Sequence, residues 1–110
     1  MIHITIFQNQ GEIYEFNCIG HAEYAEAGSD IVCAGVSALV INAINLLERL
    51  TKTKFSLVTD DETDSGLIDV TFSEKLSPDA RLLMDSMILG LQGIQNDYGD
   101  GFLMLEFKEV

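Results

Sequence analysis

Ile31-Val32-Cys33-Ala34-Gly35-Val36-Ser37-Ala38-Leu39-Val40-Ile41-Asn42-Ala43-Ile44-Asn45-Leu46-Leu47 is the stretch on which the fold turns. Ser37, Asn42 and Asn45 are its only side chains more polar than cysteine. Such a run suits a bilayer or a protein interior. A membrane span needs ~20 predominantly apolar residues, and asparagine is costly at mid-bilayer depth, so the run reads as a largely buried helix, one whose remaining apolar face suits a second subunit. Asp30 stands before it as a favoured N-cap. Val32, Val36, Leu39, Val40, Ala43, Leu46, Leu47 and Leu50 then recur at helical spacing, with Arg49 and Lys52 near the negative end of the helix.

Working outward, Ile2, Ile4 and Ile6 alternate with His3, Thr5 and Phe7, a strand pattern closed by the turn residues Asn9-Gln10-Gly11-Glu12. A second strand is expected over 13–21, with Tyr14, Phe16 and Cys18 on the core side and Glu15, Asn17, Ile19 and His21 on the other. Residues 22–29 lack periodicity and read as a loop. Beyond the helix, 54–59 and 67–72 read as strands joined by the acidic run Asp60, Asp61, Glu62 and Asp64. Ser77-Pro78-Asp79 has the cap, first-turn proline and early acid of a second helix, whose buried side is expected to be Leu82, Leu83, Ile88, Leu89, Leu91 and Ile94. Tyr98-Gly99-Asp100-Gly101 ends it, and 102–110 form a last strand. No repeat or linker divides the chain, so the expectation is one α+β domain over 1–110, in ββαββαβ order, with a mainly antiparallel sheet packed against two helices.

Eighteen acids against six Lys and Arg give a formal charge of −12 over 110 residues. Gripping a nucleic-acid backbone or an anionic membrane requires concentrated positive charge, so neither is an expected partner, and a basic protein is. Only two cysteines are present, Cys18 and Cys33, and no basic segment followed by an apolar one suggests export. A cytoplasmic location with reduced thiols is expected.

Chemistry could reside in Gly20-His21-Ala22 and Gly28-Ser29-Asp30-Ile31-Val32-Cys33. Cys33 in the first helical turn would sit where free amides and the macrodipole favour a thiolate, and those amides could hold an oxyanion. His21, at a strand end across a short loop, could act as general base and then general acid. Spacing alone leaves open the plainer reading, a small core cysteine and a surface histidine. Asp30 also has two readings: it caps the helix, or it orients His21 as a third catalytic group. Ser37, one turn after Cys33, either bonds its i−4 carbonyl or lines the site. His3, Cys18, His21 and Cys33 match no compact zinc pattern, and the acidic run lacks the glycine and glutamate of a calcium loop, so no metal or other cofactor is expected.

Gly20-His21-Ala22 followed by Gly28-Ser29-Asp30-Ile31-Val32-Cys33-Ala34-Gly35-Val36-Ser37 resembles the signature of the ribosomal-processing cysteine proteases, the Prp family, over essentially the whole length. Gly35 stands where alanine is the commoner residue; glycine there would leave space beside the thiol. The resemblance implies a cytoplasmic bacterial endopeptidase, typically homodimeric, that removes the N-terminal extension of the twenty-seventh large-subunit ribosomal protein. Cys33 would be its nucleophile and His21 its base. A pair of phenylalanines before the cut asks for an apolar groove, over which Tyr24 could pack from a loop that closes on the substrate. The contrasting reading is a non-catalytic acidic module that binds a basic ribosomal protein or an assembly intermediate.

Overall fold

The computed structural model describes residues 1–20, 29–60, 66–99 and 101–110, the side chains of Ser29 and Asp30 excepted. The elements run β1 (Ile2–Asn9), β2 (Glu12–Ile19), α1 (Ser29–Leu50), β3 (Phe55–Thr59), β4 (Ile68–Phe72), α2 (Pro78–Tyr98) and β5 (Leu103–Glu109). This is the expected ββαββαβ order. The strands form one five-stranded sheet in the order β3-β4-β2-β1-β5, antiparallel throughout except where β5 runs parallel to β1.

Alternation along each strand sends one set of side chains under the helices. Ile2, Ile4, Ile6, Phe16, Cys18, Val70, Phe72 and Leu103 meet Val32, Val36, Val40, Ala43, Ile44 and Leu47 of α1 and Ala80, Met84, Met87, Ile88 and Leu91 of α2 in one buried cluster. Each fully buried Ile, Leu, Phe or Met in it contributes about 1.5–3 kcal/mol. The ion pairs Lys54–Glu74, Lys75–Glu12 and Arg81–Asp85 are solvent-exposed, and such pairs contribute about 0–1 kcal/mol each. Apolar layering therefore decides the fold.

Several local expectations are corrected by the packing. Tyr14 was expected beside Phe16 and Cys18 in the core, but it is 49% exposed and Ile13 is buried. The cause is a bulge. Phe7 pairs with Glu15 and Gln8 with Ile13, which leaves Tyr14 as an extra residue and reverses the faces beyond it. On α2, Leu82 and Leu89 are exposed; seven residues apart, they share the face opposite Ala80, Met84, Met87, Ile88 and Leu91. The α2 cap is as expected, with the Ser77 hydroxyl accepting from the Ala80 N–H at 3.2 Å. The α1 run is long and apolar enough to cross a membrane, yet it buries only one face: Ile31, Ile41 and Leu50 are exposed. Gly35 does not make room beside the thiol. A side chain there would meet Ile94 of α2 at 3.2 Å, so Gly35 belongs to the helix–helix contact.

Gly20 closes β2 with φ of 96°, and a Cβ on it would lie 2.6 Å from the Met1 carbonyl oxygen. Both the dihedral and the backbone crowding require glycine immediately before His21. Gly20→Ala should lower stability by about 1–3 kcal/mol, read as a fall in melting temperature.

The sheet face away from the helices carries a polar group at its middle, with Thr5, Glu15, Asn17, Asp69 and Thr71 in register across β1, β2 and β4. Thr71 donates its hydroxyl to Asp69 at 3.2 Å. A hydrogen bond with Asp69, partial burial and the repulsion between the two carboxylates together push Glu15 up to about 7 from 4.5. The folded state holds that proton more tightly than the unfolded chain, so Glu15 withdraws stability as pH rises from 4.5 through about 7. Glu15→Gln should raise the melting temperature modestly near about pH 8 and leave it unchanged near about pH 4, measured by thermal denaturation at both values.

Candidate active site

The first strand, the ends of β2 and β3, the start of β4 and the N-terminal half of α1 converge on a cleft of about 280 Å³. α1 contributes Cys33, Val36, Ser37 and Val40 to it. The sheet contributes Ile2, Cys18, Gly20 and Ile68, and the rim passes through Thr59, Asp60, Gly66 and Leu67. The lining is chiefly apolar, which suits a hydrophobic peptide side chain.

Cys33 is half-buried and packs against the edge of the core. α1 begins at Ser29, so Cys33 is its fifth residue rather than a member of its first turn, and Asp30 is its second residue rather than the cap before it. The apolar face of α1 packs from Val32 onward, and the helix continues ahead of that face for a further turn. The amides that a helix leaves without intrahelical partners therefore precede Cys33. Helical side chains lean toward the N-terminus, however, so the sulfur is inclined back over the first turn and toward the positive end of the dipole.

The second thiol is placed quite differently. Cys18 lies on β2 beneath α1, 6% exposed, as its strand position predicts. Burial, reinforced by the nearness of Cys33, pushes its thiol up to about 11, so it stays protonated at neutral pH and behaves as apolar flooring. The cleft thus contains one solvent-reachable sulfur and one inert one.

Ser37 lines the cleft one turn after Cys33 and is exposed. His21 and Tyr24, and the expected closing loop over 22–29, lie outside the described residues apart from the helical backbone of Ser29. His21 is the residue next to Gly20, which itself lines the cleft. The contributions from Thr59, Asp60, Gly66, Leu67 and Ile68 were not foreseen. Only the glycine after the acidic run hinted that the chain turns there, and nothing local says that this turn lies beside α1. Among the described residues, no group of three His, Cys, Asp or Glu side chains could hold a metal ion.

A family model described as Cysteine protease Prp matches residues 1–102. The Ribosomal processing cysteine protease Prp of Bacillus subtilis is 40% identical over 105 residues, which cover 91% of this chain and 92% of that protein. A solved structure of the ribosomal processing protease Prp from Staphylococcus aureus, in complex with a covalently linked product peptide, is 30% identical. It superposes with a TM-score of 0.87, covering 98% of this chain and all of the other. A second structure of the S. aureus protein, with a substrate peptide, superposes at 0.88 with 29% identity and the same coverage. Likeness of this extent in sequence and fold makes the chain a protein-cleaving enzyme rather than a passive acidic module: it belongs to the Prp family of ribosomal-processing cysteine proteases.

Proposed function

We propose that this enzyme removes the N-terminal extension of the twenty-seventh large-subunit ribosomal protein, using Cys33 as nucleophile and His21 as general base and acid, and thereby supports ribosome assembly. The observation that carries the reading is the placing of the two thiols: Cys33 is open to an apolar cleft near the start of α1, while Cys18 is sealed beneath it. The covalently linked product peptide on the S. aureus protein supports a covalent route.

In that route the Cys33 sulfur gives its proton to His21 and attacks the scissile carbonyl carbon. The tetrahedral oxyanion collapses to a thioester as His21 protonates the departing amine, and water, deprotonated by the same imidazole, then releases the acid. The apolar lining favours large hydrophobic residues before the cut, in keeping with a phenylalanine pair, with Ser37 at the wall and Tyr24 as the candidate cover. A net charge of −12 would draw a basic ribosomal protein toward the cleft, an effect that salt weakens. Neither nucleic acid nor membrane is a proposed partner. The setting proposed is cytoplasmic, where thiols stay reduced, and the state proposed is a homodimer, for which the exposed Ile31, Ile41, Leu82 and Leu89 supply apolar surface.

Cys33→Ala should abolish cleavage of the extended ribosomal protein, whereas Cys18→Ala should retain it in protein that folds. Iodoacetamide at neutral pH should label Cys33 alone, with Cys18 reacting only after denaturation, as mass spectrometry would show. Turnover by pure Cys33→Ala protein overturns the mechanism.

His21→Ala should lose turnover while circular dichroism stays unchanged. Asp30 is the second residue of α1. Asp30→Asn is expected to keep most of the rate. A fall of about a hundredfold with an unchanged melting temperature would assign it instead to the orientation of His21.

A further inference from the structure

The two edges of the sheet are finished differently. On β5, Glu106, Lys108 and Glu109 place charges along the strand, and the Leu105 N–H is taken by Gln95 Oε1 of α2 at 3.3 Å. Charged residues and a side chain over an outer amide both discourage another strand from adding. Among the described residues, β3 at the opposite edge has neither. Phe55-Ser56-Leu57-Val58-Thr59 contains no charge or proline, pairs with β4 without a bulge, and exposes Leu57 and Val58 at 46% and 54%.

The ladder shows which backbone groups face outward. The Lys54 carbonyl accepts from the Ser73 N–H at 3.0 Å, and the Asp60 N–H donates to the Leu67 carbonyl at 3.3 Å. Lys54, Ser56, Val58 and Asp60 therefore turn their peptide groups toward β4. Antiparallel alternation leaves the N–H and C=O of Phe55, Leu57 and Thr59 directed away from the sheet. This open row runs directly to the cleft, because Thr59 and Asp60 form part of its rim.

Building on the protease reading above, we propose that the free edge of β3 receives an extended segment of the substrate as a sixth strand. The segment bonds to the outward groups of Phe55, Leu57 and Thr59, and the adjoining residues pass Thr59 to reach Cys33. Five residues of edge span about 17 Å, so the far end of the docked segment, beside Phe55, lies several residues from the scissile bond. Main-chain bonding supplies affinity with little sequence demand. Leu57 on the helix side and Val58 on the open side favour apolar residues on both faces of the docked segment, and a charge or proline within it is disfavoured.

Residue-resolved amide exchange tests this in Cys33→Ala protein, with a synthetic peptide of about 15 residues containing a Phe-Phe pair as the probe. In the free protein the amides of Leu57 and Thr59 should exchange quickly and those of Ser56 and Val58 slowly. With peptide, Leu57 and Thr59 should slow by about tenfold or more. Protection confined to the cleft would overturn the edge proposal while leaving the protease reading standing. Protection nowhere, together with no turnover by the unsubstituted enzyme, would overturn both. Protection of Leu57 and Thr59 that grows with protein concentration without peptide would give the edge to a second copy and overturn the proposal.

Leu57→Pro gives an independent check, since it removes an outward N–H and proline is tolerated on the solvent side of an edge strand. In protein of unchanged melting temperature, KM for the long peptide should rise about tenfold with little change in kcat. A shorter peptide without the docked segment should be insensitive, and Cys33 should alkylate at its usual rate. An unchanged KM for the long peptide would overturn the proposal.

Discussion

The contact between the valine face of α1 and the sheet is what the rest of the structure depends on. Val32, Val36 and Val40 are almost wholly buried, on one side of a helix whose opposite side is exposed. β-branched side chains allow little χ1 freedom in a helix, so this row seats α1 on the strands with small tolerance for rotation. Cys33 and Ser37 each follow a buried valine by one position, about 100° around the helix, which sets them at the margin of the contact rather than within it. A turn of the helix that buried Cys33 would expose a valine. The same apolar burial that stabilises the domain thus holds the Cys33 sulfur at the border between core and solvent.

The approach of the two helices serves the same end. A side chain at Gly90 of α2 would come within 2.9 Å of Leu39 of α1, and one at Gly35 would meet Ile94, so the helices lie close because neither glycine carries a Cβ. With α2 packed against α1 and β5, the position of α1 across the sheet is braced from the side opposite the cleft. The cleft itself is bounded by strand ends, where the Asp60 N–H bonds the Leu67 carbonyl and so ties the end of β3 to the start of β4 at the rim.

Charge plays a second role. The strong acidity of the chain does not create the cleft, whose lining is mainly apolar. It gives the surroundings a negative field, which attracts positively charged groups at long range and which salt screens. The Glu15 and Asp69 carboxyls on the open sheet face show how crowded that acidity becomes: at neutral pH one of the pair is held partly protonated.

Elements and their order were legible in the sequence because alternation in β1 and the spaced apolar residues of α1 and α2 are local properties of the chain. So were Ser77 as a cap and Cys18 as core. The resemblance of Gly20-His21-Ala22 and the Gly28–Ser37 segment to a known signature pointed to the chemistry before any geometry was known. The buried faces were harder. Tyr14 misled because a single extra residue in β2, opposite Phe7 and Gln8, is set by pairing with another strand. Leu82 and Leu89 misled because hydrophobicity alone does not tell which face of an amphipathic helix meets the sheet. The cleft was illegible for a stronger reason. Ile2, Cys18, Cys33, Thr59 and Ile68 come from five separate elements, and their meeting depends on the strand order β3-β4-β2-β1-β5, which arises from pairing between distant segments that no local pattern encodes.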